Sequence, residues 1–127
     1  MASPDKLSLI IQSGEYDRIH YALVMASAAL AVGKPVTLFF TMAATRALTT
    51  DWADDAREAA FAADGLATFE ELLTACRDLD ATFMVCELGL RAETLSTDDL
   101  RDDIPITAGS AVSFLSDASS DGAMLYV

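Results

Sequence analysis

The sequence predicts an α/β fold: three layers, with a five-stranded, mostly parallel sheet between helices. Three observations predict it. Short apolar runs rich in β-branched and aromatic residues take turns with helical patterns along the chain. The first two runs, Leu7–Ile11 and Val36–Phe40, lack polar–apolar alternation, as strands covered on both faces do. The segments between them are too long for hairpins and suit helical crossovers, which make neighbouring strands parallel. At 127 residues the whole chain, 1–127, reads as one domain, long enough to bury a core without disulfides or metals.

The first strand is Leu7–Ile11, closed by turn chemistry at Gln12-Ser13-Gly14. Asp17, or Ser13 before it, caps a helix running to about Val32. Ile19, Leu23, Ala26 and Leu30 share one face of it, while Tyr21, Val24, Ala28 and Val32 keep the other face apolar. A helix apolar on most sides is covered by neighbours or lies in a subunit interface. Gly33 suits the position just past its end, with Pro35 beyond.

Val36–Phe40 is the second strand. Thr41 to Asp64 is an excursion expected over the sheet edge, with helical pieces at Met42–Leu48 and Asp51–Ala63. Thr68 and Glu71 form a capping box for the next helix, whose stripe is Phe69, Leu72, Leu73, Cys76 and Leu79. The third strand is Ala81–Val85. Leu88–Leu95 follows as a helix, and Thr97–Leu100 as a helical turn. Asp102–Thr107 is a fourth strand, held to a strand start or a sheet edge by Pro105. Ala108–Asp117 is a short helix with Ala108, Val112 and Leu115 inward, and Ala123–Val127 is the fifth strand.

Charge narrows the function classes. The net charge is −12, from 20 acidic and 8 basic side chains, which repels nucleic acid and anionic membrane surfaces. The first residues lack the basic and apolar regions of a secretory leader, and Ile19–Val32 is too short and too alanine-rich to span a bilayer. A cytoplasmic location with reduced thiols is the expectation. Hydrophobic residues make up 53% of the chain, so apolar surface should be left over for self-association.

In open α/β sheets ligands bind outside the carboxyl ends of the strands. The residues placed there include Ser13 and Gly14 after the first strand and Thr41 after the second. Cys86 and Glu87 follow the third strand, and Gly109 the fourth. Cys86 is the distinctive nucleophile among them. A thiol where a helix begins meets backbone N–H groups that favour thiolate, while Glu87 opposes it. Free cysteine is also among the most buried residue types, so a structural role stands beside the reactive one. Cys76 falls on a buried stripe, and a Cys76–Cys86 disulfide would need the helix face and the strand end to meet, in a compartment that disfavours it. His20 reads as a polar surface or interface residue, and the aspartates at 98, 99, 102 and 103 as a solvated patch without a calcium-loop spacing. No metal or organic cofactor is expected.

Several segments resemble the DsrE/DsrF-like family. They are Leu7–Gln12, Gly33-Lys34-Pro35-Val36 after the alanine-rich helix, Leu38-Phe39-Phe40-Thr41, Phe83-Met84-Val85-Cys86, and Ile106–Leu115. Phe39-Phe40-Thr41 is similar to the branch labelled peroxiredoxin-like. The sequence departs from that branch at Met42–Thr45 and at Glu87–Leu90. The resemblance implies a five-stranded parallel sheet in small cytoplasmic subunits that assemble as trimers or hexamers. It also implies sulfur relay, with Cys86 accepting sulfane sulfur from a donor protein and passing it to an acceptor. Two other readings stand beside it: a non-catalytic oligomeric scaffold or small-ligand binder, and a redox sensor acting through Cys86.

Overall fold

The computed structural model describes residues 3–127. Met1 and Ala2, the start of the stretch read as lacking a leader, lie outside the described residues. Five parallel strands form one sheet: β1 (Leu7–Ile11), β2 (Val36–Phe40), β3 (Thr82–Cys86), β4 (Ile106–Gly109) and β5 (Ala123–Tyr126). Their order is β4-β3-β2-β1-β5, and every pairing is parallel. The helices are α1 (Tyr16–Ala31), α2 (Asp55–Ala63), α3 (Phe69–Asp78), α4 (Glu87–Ala92) and α5 (Ala111–Asp117), with short 3₁₀ segments at Met42–Leu48 and Thr97–Asp99.

Residue parity separates the two faces of the sheet. Leu9, Ile11, Leu38, Phe40, Phe83 and Val85 join Ile19 and Leu23 of α1 and Phe69 and Leu73 of α3 in the main core. The alternate positions Phe39, Met84 and Cys86 form a second, smaller cluster with Phe114 of α5. The geometry of crossovers explains this. From β1 to β4 the chain steps in one direction, and right-handed connections keep their helices on one face. The step from β4 to β5 reverses across the sheet, so its helix lands on the other face. That third layer consists of seven residues anchored by one aromatic ring, stacked on Phe39 at 4.9 Å.

Several local expectations hold. The capping box of Thr68 and Glu71 is present, Gly33 has φ +85° just past α1, and Pro105 precedes an edge strand. Others are corrected. Neither Ser13 nor Asp17 caps α1; Glu15 holds that position without a side-chain bond, and the Ser13 hydroxyl accepts from the Glu15 N–H at 3.1 Å. Leu79 is exposed because α3 ends before it. The fourth strand starts at Ile106 and runs to Gly109, so Ala108 is strand rather than helix. With that anchor gone, α5 turns Phe114 inward and leaves Val112 and Leu115 74% and 60% exposed. The excursion after β2 does not lie over the sheet edge. Its 3₁₀ segment caps the carboxyl ends of β2 and β3, burying Ala44, Thr45, Ala47 and Leu48. Its second helical piece begins only at Asp55, where the Asp54 carboxylate accepts from the Arg57 N–H. Glu58 of α2 then accepts from the Tyr16 hydroxyl and from the Phe69 N–H, tying α2 to the first turns of α1 and α3.

Asp117 fastens the end of α5. Its carboxylate accepts from Lys6 Nζ at 2.7 Å and from the Thr37 hydroxyl at 2.6 Å. Partial burial alone would raise its pKa; the bonds from Lys6 and Thr37 and the Lys6 charge outweigh that and hold it below the usual carboxylate range. A depressed folded value means this contribution is full above the unfolded carboxylate value of about 4 and disappears as pH falls through the lower folded one. Urea stability should therefore drop as pH falls below about 5, with a smaller drop in Asp117→Asn.

Candidate functional site

Cys86 is both the last residue of β3 and the N-cap of α4. The apolar run Phe83-Met84-Val85 builds the strand. The following Glu87-Leu88-Gly89-Leu90-Arg91-Ala92 is made of good helix formers around one glycine. That glycine has a packing reason. A Cβ at Gly89 would lie 2.6 Å from Thr45 Oγ1 and 2.7 Å from the Met42 nitrogen, so its absence lets α4 rest on the 3₁₀ segment. The close seat fixes where the strand turns into helix, and with it the position of the thiol. The sequence predicts a helix here over Leu88–Leu95, and Gly89 enters that reading only within the departure from the family pattern at Glu87–Leu90.

The thiol is 6% exposed and packs with Phe39, Met84 and Phe114. It makes no capping hydrogen bond to α4, so the expected N–H stabilisation of thiolate is not realised as a bond. Glu87 is exposed beside it. Cys86, Glu87, Leu88, Arg91, Ser110, Ala111 and Val112 line an open depression of about 410 Å³, and Cys86 is the one buried residue among them. Gly109 pairs with Cys86 across the sheet. A Cβ there would meet Ser113 Oγ at 2.7 Å and Met84 Sδ at 3.0 Å, so glycine lets α5 begin tight against β3.

Ser13 and Gly14 belong to a separate depression of about 430 Å³, shared with Gln12, Arg18, Met42, Ala43 and Tyr126. It lies where the strand order reverses, between β1 and β5. Gly14 is close-packed here too, since a Cβ would stand 2.9 Å from Ala43 Cβ. Thr41 lies between the two depressions, its N–H donating to the Ile11 carbonyl at 2.9 Å. The six residues picked from the sequence thus all stand at the carboxyl ends of strands; Ser13 and Gly14 line one hollow, Cys86 and Glu87 the other, and Thr41 and Gly109 line neither.

The remaining candidates are structural. Cys76 is fully buried in the main core, on the other side of the sheet from Cys86, and burial pushes its thiol up to about 11. Both cysteines are free. His20 is not a surface residue: it is 7% exposed, stacks on Phe61 at 4.1 Å, and its Nε2 lies 2.8 Å from the Ala67 carbonyl. A carbonyl only accepts, so Nε2 carries the proton. Among the described residues no group of three or more histidine, cysteine or acidic side chains could hold a metal. Asp99 completes the capping box of a helical turn, its carboxylate accepting from the Ser96 N–H, and Asp103 pairs with Arg101. Among the described residues no helix is long and apolar enough to cross a membrane. Arg91 and Phe114 were missed in the sequence; the signal for Arg91 was its place on the second turn after Cys86.

A parallel α/β sheet with a thiol where a strand becomes a helix defines the class of protein. The chain belongs to the DsrE/DsrF-like family, whose model matches residues 5–125. The comparison with curated proteins found no match. A solved structure with the same fold is the protein of unknown function MTH1491 from Methanobacterium thermoautotrophicum. It has a TM-score of 0.68 and 12% identity, over 96% of this chain and 98% of that one.

Proposed function

We propose that this chain is a small sulfur carrier that holds sulfane sulfur as a persulfide on Cys86. The supporting observation is that Cys86 is the buried base of an open depression at the strand ends, in a family generally linked to sulfur relay. The Cys86 thiolate attacks a sulfane sulfur, forming an Sγ–S bond. The donor's S–S bond breaks, and its electron pair leaves on the donor thiolate. An acceptor thiolate then takes the outer sulfur and returns Cys86 as thiolate. The chain's own part is to place the thiol and restrict access to it; the chemistry needs no metal or organic cofactor. The reading includes donor and acceptor proteins and a cytoplasmic setting that keeps the thiol reduced. Its test is a one-sulfur mass gain on Cys86 after exposure to polysulfide.

One observation favours a second reading, a non-catalytic binding or scaffold module. Cys86 is buried in a cluster with Phe39, Met84 and Phe114 and has no capping bond, and the hollow at Ser13 and Gly14 offers a separate ligand position. In this reading Cys86 reacts with thiol reagents slowly, and Cys86→Ser keeps the chain's binding activity.

A homo-oligomer, trimer or hexamer, is part of the proposal. Tyr21, Met25 and Val32 on α1 are exposed, as are Leu115, Met124 and Tyr126 on the thinly covered face. The 3₁₀ segment, in contrast, already buries Ala44, Ala47 and Leu48 within the chain. Light scattering at micromolar concentration should give a multiple of the chain mass; a monomer removes this part.

A further inference from the structure

We infer that Arg91 is a specificity-determining residue that selects anionic sulfur donors for Cys86, an inference that rests on the sulfur-carrier reading. The chain carries six arginines among 20 acidic residues, so an arginine here has ample carboxylates to pair with. Five of the six do: Arg18 with Glu15, Arg46 with Glu93, Arg57 with Asp17, Arg77 with Asp78, and Arg101 with Glu70 and Asp103. Among the described residues Arg91 is the arginine without a salt bridge, and it lines the Cys86 depression. Glu87 stands one helical turn before it, the spacing at which a glutamate and an arginine ordinarily pair, yet the two form no ion pair in the structure.

The rest of the depression makes that cation matter more. Leu88 and Val112 are 64% and 74% exposed on its walls, and Ala111 adds a methyl group. Ser110 also lines the depression, but its hydroxyl is engaged with Ser113; the guanidinium is the one cationic group there, and the apolar walls weaken screening of its charge. The protein as a whole repels anions at −12, so a local cation is what lets an anionic donor approach the thiol. A polysulfide and a thiol-borne persulfide share the required feature, a negative charge on or beside the sulfane sulfur. Glu87 is the opposing charge on the same depression. The transfer is the one written above, with the donor's S–S electron pair leaving on the donor; Arg91 acts on the approach and on that departing anion.

The test compares reagents of different charge on the intact chain. Rates of Cys86 modification, assigned by peptide mass, are measured with a dianionic aromatic disulfide and with neutral dithiodipyridine. The proteins are the parent, Arg91→Gln, Arg91→Lys and Glu87→Gln. Arg91→Gln should slow the anionic reagent about three- to tenfold and leave the neutral one unchanged. Arg91→Lys should restore most of the rate, and Glu87→Gln should raise it. Loading by inorganic polysulfide and by persulfidated glutathione should follow the anionic reagent, and their relative rates distinguish an inorganic from a thiol-borne source. Equal slowing of both disulfides, or no change in either, overturns the inference. If the parent gains no sulfur from any donor while the charge dependence on Arg91 persists, the sulfur-carrier reading fails and the anion selection stands.

Discussion

Replacing Cys86 with serine is expected to abolish the one-sulfur mass gain that the parent chain acquires from polysulfide. Serine keeps the size of the side chain and the N-cap position of α4, where a hydroxyl is a favoured residue, so the fold should survive. Circular dichroism of the variant checks that. Cys76 gives no substitute route. It is fully buried, and its thiol is pushed up to about 11, so little thiolate exists near neutrality. The mass gain in the parent should therefore map to the peptide containing Cys86 alone. A parent chain that stays unmodified under conditions that load a known sulfur carrier would remove the proposal, because thiolate attack is its central step.

Phe114→Ala should have two effects that move together. Phe114 is 1% exposed and is the anchor of the third layer, stacked on Phe39 at 4.9 Å with an interplanar angle of 20°. Removing a buried phenylalanine costs about 3–5 kcal/mol, and α5 has no other buried residue to hold it. Urea unfolding measures the loss. The same truncation opens the cluster over Cys86, so the thiol should react with a neutral disulfide faster than in the parent. A large fall in stability with unchanged thiol reactivity would mean that α5 does not control access to Cys86. The Asp117 tether predicts the same coupling in milder form.

The three central strands were legible in the sequence because each is a short, mainly apolar run, and burial on two faces leaves a strong compositional mark; the half-exposed edge strand β4 carries less of that mark and was placed too early. Helices with a clear start signal, such as the capping box at Thr68 and Glu71, were placed closely. Errors gathered where periodicity had few residues to act on. The seven residues of α5 gave no reliable phase, and Ala108 was taken as helix when it completes β4. The segment after β2 was misplaced because alanine-rich sequence does not say what it packs against. Only the tertiary fold shows Gly89 yielding room for Thr45. Cys86 was found by position, since a strand end in a parallel sheet can be read from order alone. The division of the site into two hollows could not be read, because it depends on which strands become neighbours. His20 was misjudged because its covering partner, Phe61, comes from a distant helix.

The pairing of β1 with β5 bears on how the chain is made. β1 leaves the ribosome before the other four strands of this sheet, yet one of its two edges is completed only by β5, the sheet strand that follows all the others. Lys6 and Asp117, 111 residues apart, are joined at the same seam. Until β5 emerges, β1 presents a bare row of backbone donors and acceptors, the kind of open edge that invites pairing with another chain. Closing so long a loop is slow compared with local helix formation. During synthesis this seam is where a nascent chain would be most exposed to misassembly, and where chaperone protection would count most.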